Sequence, residues 1–445
     1  MAGDPEVIVI GAGAAGLAAA AELGLAGLSV VLLEARDRIG GRIFTQRDPV
    51  CNAPVELGAE FIHGRPPEIW RPLTERGVPI TEVDGENWCF QSGQLFRCDF
   101  LSQVDAIMKE MDDRSPDETF LSFLQKCCPE SKNNSEAKEQ ALRYVTGFNA
   151  ADPDLVGVHW LVKGMRAEEQ IGGGQAFRSR GGYEDLIEVF RQKLVEAGVR
   201  VQTATTVESI WWKAGRAEVT AASPTGSVRL VAPYVLVTLP LAVLQAPAGE
   251  SGAVQFLPGL PDPKLEALNK LQMGKVIRVT LRFRHRFWDT LTPVGTSQTL
   301  SKLSFLFGQD DWFPTWWTMM PDHRPIITGW APFRCAERLS GKSRAFVIDR
   351  GLKALSKPLR VGQRELQDLL DDAYFHDWQS DPFSRGAYSY GAVGSDGAQE
   401  ALGSPMKDTL FFAGEATDVS GNNGTVHGAI ASGLRAAAEI LRTKR

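Results

Sequence analysis

"EVIVIGAGAAGLAAAAELGLAGLSVVLLEA", residues 6–35, decides how this chain folds. Val7 to Ile10 form an unbroken apolar run, the mark of a parallel strand buried on both faces. Gly11, Gly13 and Gly16 follow at once, and the alanine-rich stretch Ala14 to Leu25 reads as a helix. "LSVVLLE" is a second strand that ends on Glu34. Each glycine has a physical use. Gly11 permits the tight turn, Gly13 lets a pyrophosphate approach the backbone, and Gly16 lets helix and strand pack closely. The helix N-terminus, with Ala14 and Ala15, faces the phosphates, and Glu34 accepts hydrogen bonds from a ribose. Strand, helix, second strand and terminal acid stand in register, so the segment predicts a dinucleotide site in an α/β fold.

The residues that follow, "EARDRIGGRIFT", narrow the choice of dinucleotide. Ala35, Arg36, Gly40, Gly41 and Arg42 make a second basic, glycine-rich loop, for which an NAD enzyme has no evident need. Such a loop suits a larger cofactor such as FAD. The acid at position 34 disfavours a 2′-phosphate and so argues against NADP.

Composition sets wider bounds. With 445 residues the chain exceeds one ordinary core, so two domains are expected. A formal net charge of −6 argues against nucleic acid as partner. There is no run of about 18 apolar residues, so no membrane span is predicted. The N-terminus lacks a basic leader and enters a strand almost immediately, which reads as a non-secreted, cytoplasmic protein. The six cysteines include no C-x-x-C pair and are expected to be free thiols. Six histidines without ligand spacing predict no metal site.

From "EARDRIGGR" onward the chain resembles the flavin-dependent amine oxidase family, and the polyamine oxidase-like members most closely. The matching segments are "ELGAEFIHG" (56–64), "GGYEDLIEVF" (181–190), "VQTATTVESI" (201–210), "YVLVTLPLAVL" (234–244), "LQMGKVIRVTLRF" (271–283), "DPFSRGAYSYGAVG" (381–394) and "LFFAGEATDVSGNNGTVHGAIASGLRAAAEIL" (410–441). The resemblance implies a Rossmann-type FAD-binding domain of the p-hydroxybenzoate hydroxylase kind, assembled from residues 1–80, 175–260 and 385–445. An α+β substrate-binding domain, residues 81–174 and 261–384, interleaves with it. It also implies a small-molecule amine substrate, hydride transfer from the carbon next to nitrogen to the flavin, O2 as acceptor, and a monomer or homodimer.

Site residues carry over position by position. Gly58, Ala59, Glu60 and Phe61 are expected to pass the flavin, Val207 to touch the adenine end, and Trp378 to lie near the ring. Gly414 and Glu415 belong to the ribityl and pyrophosphate portion, and Gly424, Thr425 and Val426 to the ring's far edge. Lys275 in "MGKVIRV" is placed at the family's flavin-facing lysine, and Tyr388 at its flavin-facing tyrosine. His63 matches a pocket histidine that can hydrogen-bond an amine. Two departures from monoamine oxidases matter. Ala387 stands where those enzymes attach FAD through cysteine, which implies non-covalent FAD, and Thr425 stands where they have a second caging tyrosine. Other readings weighed are an L-amino-acid oxidase, which needs a pocket arginine for a carboxylate, a desaturase or porphyrinogen-type oxidase, and a flavin-bound interaction protein. The basic run "RFRHRF" (282–287) reads as a solvated strand face, and "RELQDLLDDAYFHDW" (364–378) as a helix. The role of "DDWFPTWWTMM" (310–320), as core or as pocket wall, stays open, as does that of His427.

Overall fold

The computed structural model describes residues 4–127 and 132–444. Five strands distant in sequence make one parallel sheet, in the order Arg200–Gln202, Val30–Leu33, Val7–Ile10, Tyr234–Val237, Leu410–Phe412. Val7–Ile10 and Val30–Leu33 are buried at every position, as their unbroken apolar runs require. The helix Ala14–Leu25 lies between this sheet and the C-terminal helix Val426–Lys444. Both contacts depend on glycine. A Cβ on Gly16 would stand 1.9 Å from the Gly11 carbonyl oxygen, and one on Gly433 would stand 2.2 Å from that of Ala15.

A second, seven-stranded sheet runs in the order Leu370–His376, Val276–Phe283, Ile326–Pro332, Thr315–Thr318, Leu303–Phe307, Glu86–Gln91, Gln94–Arg97. It is antiparallel except where Leu303–Phe307 meets Glu86–Gln91. Helices Phe333–Leu339 and Arg344–Leu359 pack on one face and complete its core. A smaller helical cluster, from Phe100–Met108, Phe120–Lys126, Lys132–Gly147 and Val158–Gln170, holds a separate core.

Four sequence expectations change here. The segment read as a helix at 364–378 is a short helix, Gln363–Leu369, followed by the edge strand Leu370–His376. Its pairing with Val276–Phe283 outweighs local helix propensity. Residues 130–137, read as a turn, are helical from Lys132 onward. Arg282 in the supposedly solvated basic run is buried, because Val276–Phe283 is covered on both faces. Its guanidinium ion-pairs with Asp48 and Asp371. Finally, Cys89 and Cys98 form a disulfide rather than two free thiols. Hairpin pairing places their Cα atoms 5.7 Å apart, a distance that a separation of nine residues does not announce. Cys127 is also disulfide-bonded, Cys51 and Cys335 are free thiols, and Cys128 lies outside the described residues.

Candidate active site

Between the two sheets runs a cavity of about 970 Å³. At one end its wall is the start of helix Ala14–Leu25. Gly11, Gly13, Ala14 and Ala15 line it, and Gly13 caps the helix with no side chain to accept the free N–H groups. A Cβ on Gly13 would meet nothing nearer than the Gly41 Cα at 4.0 Å, so the glycine leaves open space between two loops. Gly41, Arg42, Ala35 and Arg36 form the facing loop. Unpartnered helix N–H groups over a glycine-lined cradle fit a pyrophosphate. Glu34, buried behind them, accepts from the Ala12 N–H at 2.8 Å and the Arg36 N–H at 2.9 Å, which fixes its carboxylate beside the cradle. Val207 lines the same end. Gly16 does not line the cavity; its part is the helix–strand contact.

Farther along, Gly58, Ala59, Glu60 and Phe61 line one wall. Trp378 lies on the same wall, its indole donating to the Leu57 carbonyl at 2.6 Å. Gly414, Glu415, Gly424, Thr425, Val426 and Tyr388 line the opposite side. Glu415 ties this side together. It accepts from Arg42 Nη1 at 3.0 Å, from the Gly424 N–H at 2.9 Å and from the Ser389 hydroxyl. Gly424 abuts Tyr388, where a Cβ would come within 3.4 Å of the ring. The Thr425 hydroxyl donates to the Asn422 carbonyl and accepts from the Gly428 N–H, so it caps the C-terminal helix while facing the cavity. His427, unresolved in the sequence, lines the cavity and bonds Asn422 through Nε2 at 3.0 Å.

Lys275 is not in this cavity. Its side chain is half-exposed and pairs with Glu337 at 2.9 Å on the surface. The cation that enters is Arg278, three residues on. Strand alternation explains the exchange: side chains at 276 and 278 share one face, and 275 precedes the strand. The signal in the sequence is a charged residue inside an otherwise apolar strand, which a core tolerates only when paired. Arg278 Nη1 donates to the Glu56 carbonyl at 2.7 Å and to Glu60 Oε2 at 3.1 Å, and the guanidinium stands near the rings of Trp317 and Trp330. Burial lowers its pKa and Glu60 beside it opposes that, but a guanidinium remains charged. The cations lining the cavity are all arginines. Lys275→Met is therefore expected to change turnover less than about twofold, since an exposed ion pair contributes at most about 1 kcal/mol; steady-state kinetics of that variant check it.

Glu60 is also occupied. Besides Arg278 it takes Arg178 at 2.8 Å and the Trp317 indole at 3.0 Å, so its carboxylate is neutralised rather than free to attract an amine. The strand Thr315–Thr318 resolves the tryptophan question by alternation. Trp316 packs into the core behind the sheet, and Trp317 lines the cavity. Phe61, Phe305 and Trp317 form a ring cluster with centroids 5.5 to 6.2 Å apart. His63 lies beside it, edge-on to Phe148 at 5.2 Å, and burial pulls its pKa down to about 4. It is thus a neutral imidazole at physiological pH. Tyr388 gives its hydroxyl to the Phe148 carbonyl at 2.6 Å, which leaves its ring to form wall. Sequence reasoning named neither Arg278 nor the aromatic residues Tyr144, Phe148, Phe305 and Trp330; no local pattern marks which face of their elements meets the cavity.

Comparison with known proteins agrees with this geometry. A family model described as flavin containing amine oxidoreductase matches residues 14–123 and 105–441, and the chain belongs to that family. Polyamine oxidase 2 of Arabidopsis thaliana is 30% identical over 97% of this chain and 87% of its own length. Polyamine oxidase 3 of Oryza sativa subsp. japonica is 29% identical over 98% and 89%. Lysine-specific histone demethylase 2 of Homo sapiens is 28% identical over 98% of this chain but only 53% of its own length. In fold, a putrescine oxidase solved with putrescine bound superposes with a TM-score of 0.80 at 22% identity, covering 98% of this chain and 99% of that one. The protein is a flavin-dependent amine oxidoreductase.

Proposed function

We propose that the protein is an FAD-dependent amine oxidase that takes a primary or secondary amine, polyamines included, and holds its FAD without a covalent bond. The observation that carries this reading is the continuity of one cavity, from the glycine-lined helix start to an aromatic, water-poor end. The parallel sheet then serves as a Rossmann-type FAD-binding domain, and the seven-stranded sheet as the floor of the substrate domain. Residues Gly11 to Ala15, Glu34, Arg36 and Arg42 would hold the nucleotide half, and Gly58 to Phe61, Trp378, Glu415 and Gly424 the ring half. Flavin, when bound, supplies the acceptor for a hydride from the carbon next to nitrogen.

The side chains have the remaining tasks. The rings of Phe61, Trp317 and Tyr388 exclude water and orient an amine. Neutral His63 makes no side-chain hydrogen bond among the described residues, so its imidazole can accept from the amine N–H and favour the uncharged, reactive form. Arg278 fixes a permanent positive charge at the end where negative charge develops on reduction. Release of the imine and its hydrolysis give an aldehyde and an amine or ammonia, with O2 reduced to H2O2. Against an L-amino-acid oxidase, the buried pocket arginine, Arg278, is already bonded to Glu60 and the Glu56 carbonyl.

The test is anaerobic mixing of the yellow protein with polyamines, aromatic monoamines and amino acids. Amines should bleach the flavin and amino acids should not, and acid precipitation should leave the colour in the supernatant. If no amine bleaches it, the reading fails; colour retained in the pellet refutes non-covalent attachment alone.

A further inference from the structure

Glu168 is an anion placed where a folded protein alone has no use for one. It sits in the last turn of helix Val158–Gln170, where the macrodipole disfavours negative charge. Its side chain is half-buried and lines the cavity. No arginine, lysine or hydrogen-bond donor engages its carboxylate among the described residues. Its nearest ionisable neighbours are Asp105, a second acid, and Tyr144. Burial and then Asp105 push its pKa up, a cost that a bound cation would remove. Arg143, the cavity cation next to Tyr144 in sequence, is already bonded to Glu139.

Local geometry aims this carboxylate inward. The Glu168 carbonyl accepts from the Gly173 N–H at 2.8 Å, folding the chain back over its own side chain. A Cβ on Gly173 would lie 2.0 Å from Glu168 Cγ, so only glycine leaves that path free. From Glu168 the wall continues through rings. Tyr144 stacks on Phe148 at 5.1 Å, and Phe148 meets His63 edge-on at 5.2 Å. The corridor between the His63 end and Glu168 is therefore apolar and π-rich along its length and anionic at its far end, a pattern that suits methylenes followed by a cation.

We propose that Glu168, positioned by Gly173, is a specificity-determining residue that holds a second cationic nitrogen of the substrate, a few methylenes from the nitrogen oxidised near His63. The assignment rests on the amine-oxidase reading but makes a separate claim: the protein discriminates between a diamine and a monoamine of equal length. Charge-assisted hydrogen bonds of this kind correspond to roughly 10- to 100-fold in affinity.

The experiment compares 1,6-diaminohexane with hexylamine on the complete flavin-loaded protein. Binding is read by calorimetry on the dithionite-reduced protein, where no turnover occurs, and flavin bleaching is read on the oxidised protein. The wild type should bind the diamine at least about tenfold more tightly. Glu168→Gln, which keeps the side-chain shape, should bring the two ligands to within about twofold while leaving the bleaching rate with hexylamine unchanged. Gly173→Ala, which leaves the carboxylate in place chemically but displaces it, should produce the same loss of discrimination. Equal binding of the two ligands by wild type, or discrimination undiminished in Glu168→Gln, overturns the proposal. A failure of both ligands to bleach the wild-type flavin instead overturns the amine-oxidase reading on which it rests.

Discussion

Arg278→Met is expected to lower turnover about 100-fold and to make the flavin harder to reduce. The magnitude follows from removing one preorganised electrostatic group at a dry reaction site. Arg278 lies between Trp317 and Trp330 with Glu60 and the Glu56 carbonyl holding its guanidinium, so the charge cannot swing away or be lost to deprotonation. Taking it out also leaves Glu60 with one cation, Arg178, instead of two. Breaking a buried pair of this type costs about 3 kcal/mol, so a lower unfolding temperature should accompany the kinetic loss. Arg278→Lys separates the two effects. It restores a charge but not the geometry of the guanidinium fork, and is expected to recover part of the stability and little of the rate. Stopped-flow reduction, a redox titration and thermal unfolding of both variants check this. Unchanged turnover in Arg278→Met would falsify the electrostatic role.

Gly16→Ala and Gly13→Ala should fail in different ways, although the two glycines are three residues apart in one motif. At Gly16 the new methyl would lie 1.9 Å from the Gly11 carbonyl oxygen and 3.0 Å from the Thr238 hydroxyl. The helix would have to move off the sheet, and overpacking of this kind costs about 3 kcal/mol or more. Little soluble, yellow protein is expected. At Gly13 the methyl meets no protein atom closer than 4.0 Å, so the fold should survive. It would instead occupy the cradle between two loops, and flavin affinity should fall at least about tenfold through the lost approach to the helix N–H groups. Circular dichroism and visible absorbance on the purified variants separate the outcomes. A well-folded, flavin-replete Gly16→Ala protein would contradict the packing argument, and a flavin-replete Gly13→Ala protein would contradict the cradle.

These expectations show how unevenly the chain discloses itself. Residues 6–45 state their own structure because each element there is local: a run buried on both faces, a turn that needs glycine, a helix start without a cap. The long C-terminal segment is similarly legible, and the helix predicted from about Thr425 begins at Val426. The strand around 276–283 was legible as a strand but not as a site. Its period is two, so a one-residue error in where it begins exchanges the side chains that face the cavity for those that do not. That is why Lys275 drew the functional reading and Arg278 did not. The two tryptophans at 316 and 317 present the same difficulty.

Glu168 and the Cys89–Cys98 bridge illustrate a further limit. An acid at a helix end and two cysteines nine residues apart carry no local meaning, because what matters is the partner that folding supplies or withholds. The sequence by itself determined the nucleotide-binding βαβ unit, the family and most of the segments that line the cavity, since those depend on backbone conformations that only certain residues adopt. The tertiary structure alone decided which charges are paired and which are left open. Arg278 and Glu60 neutralise one another across 218 positions of sequence, while Glu168 is left without a counter-ion. Charge pairing is set by distances in space, and no spacing along the chain encodes them.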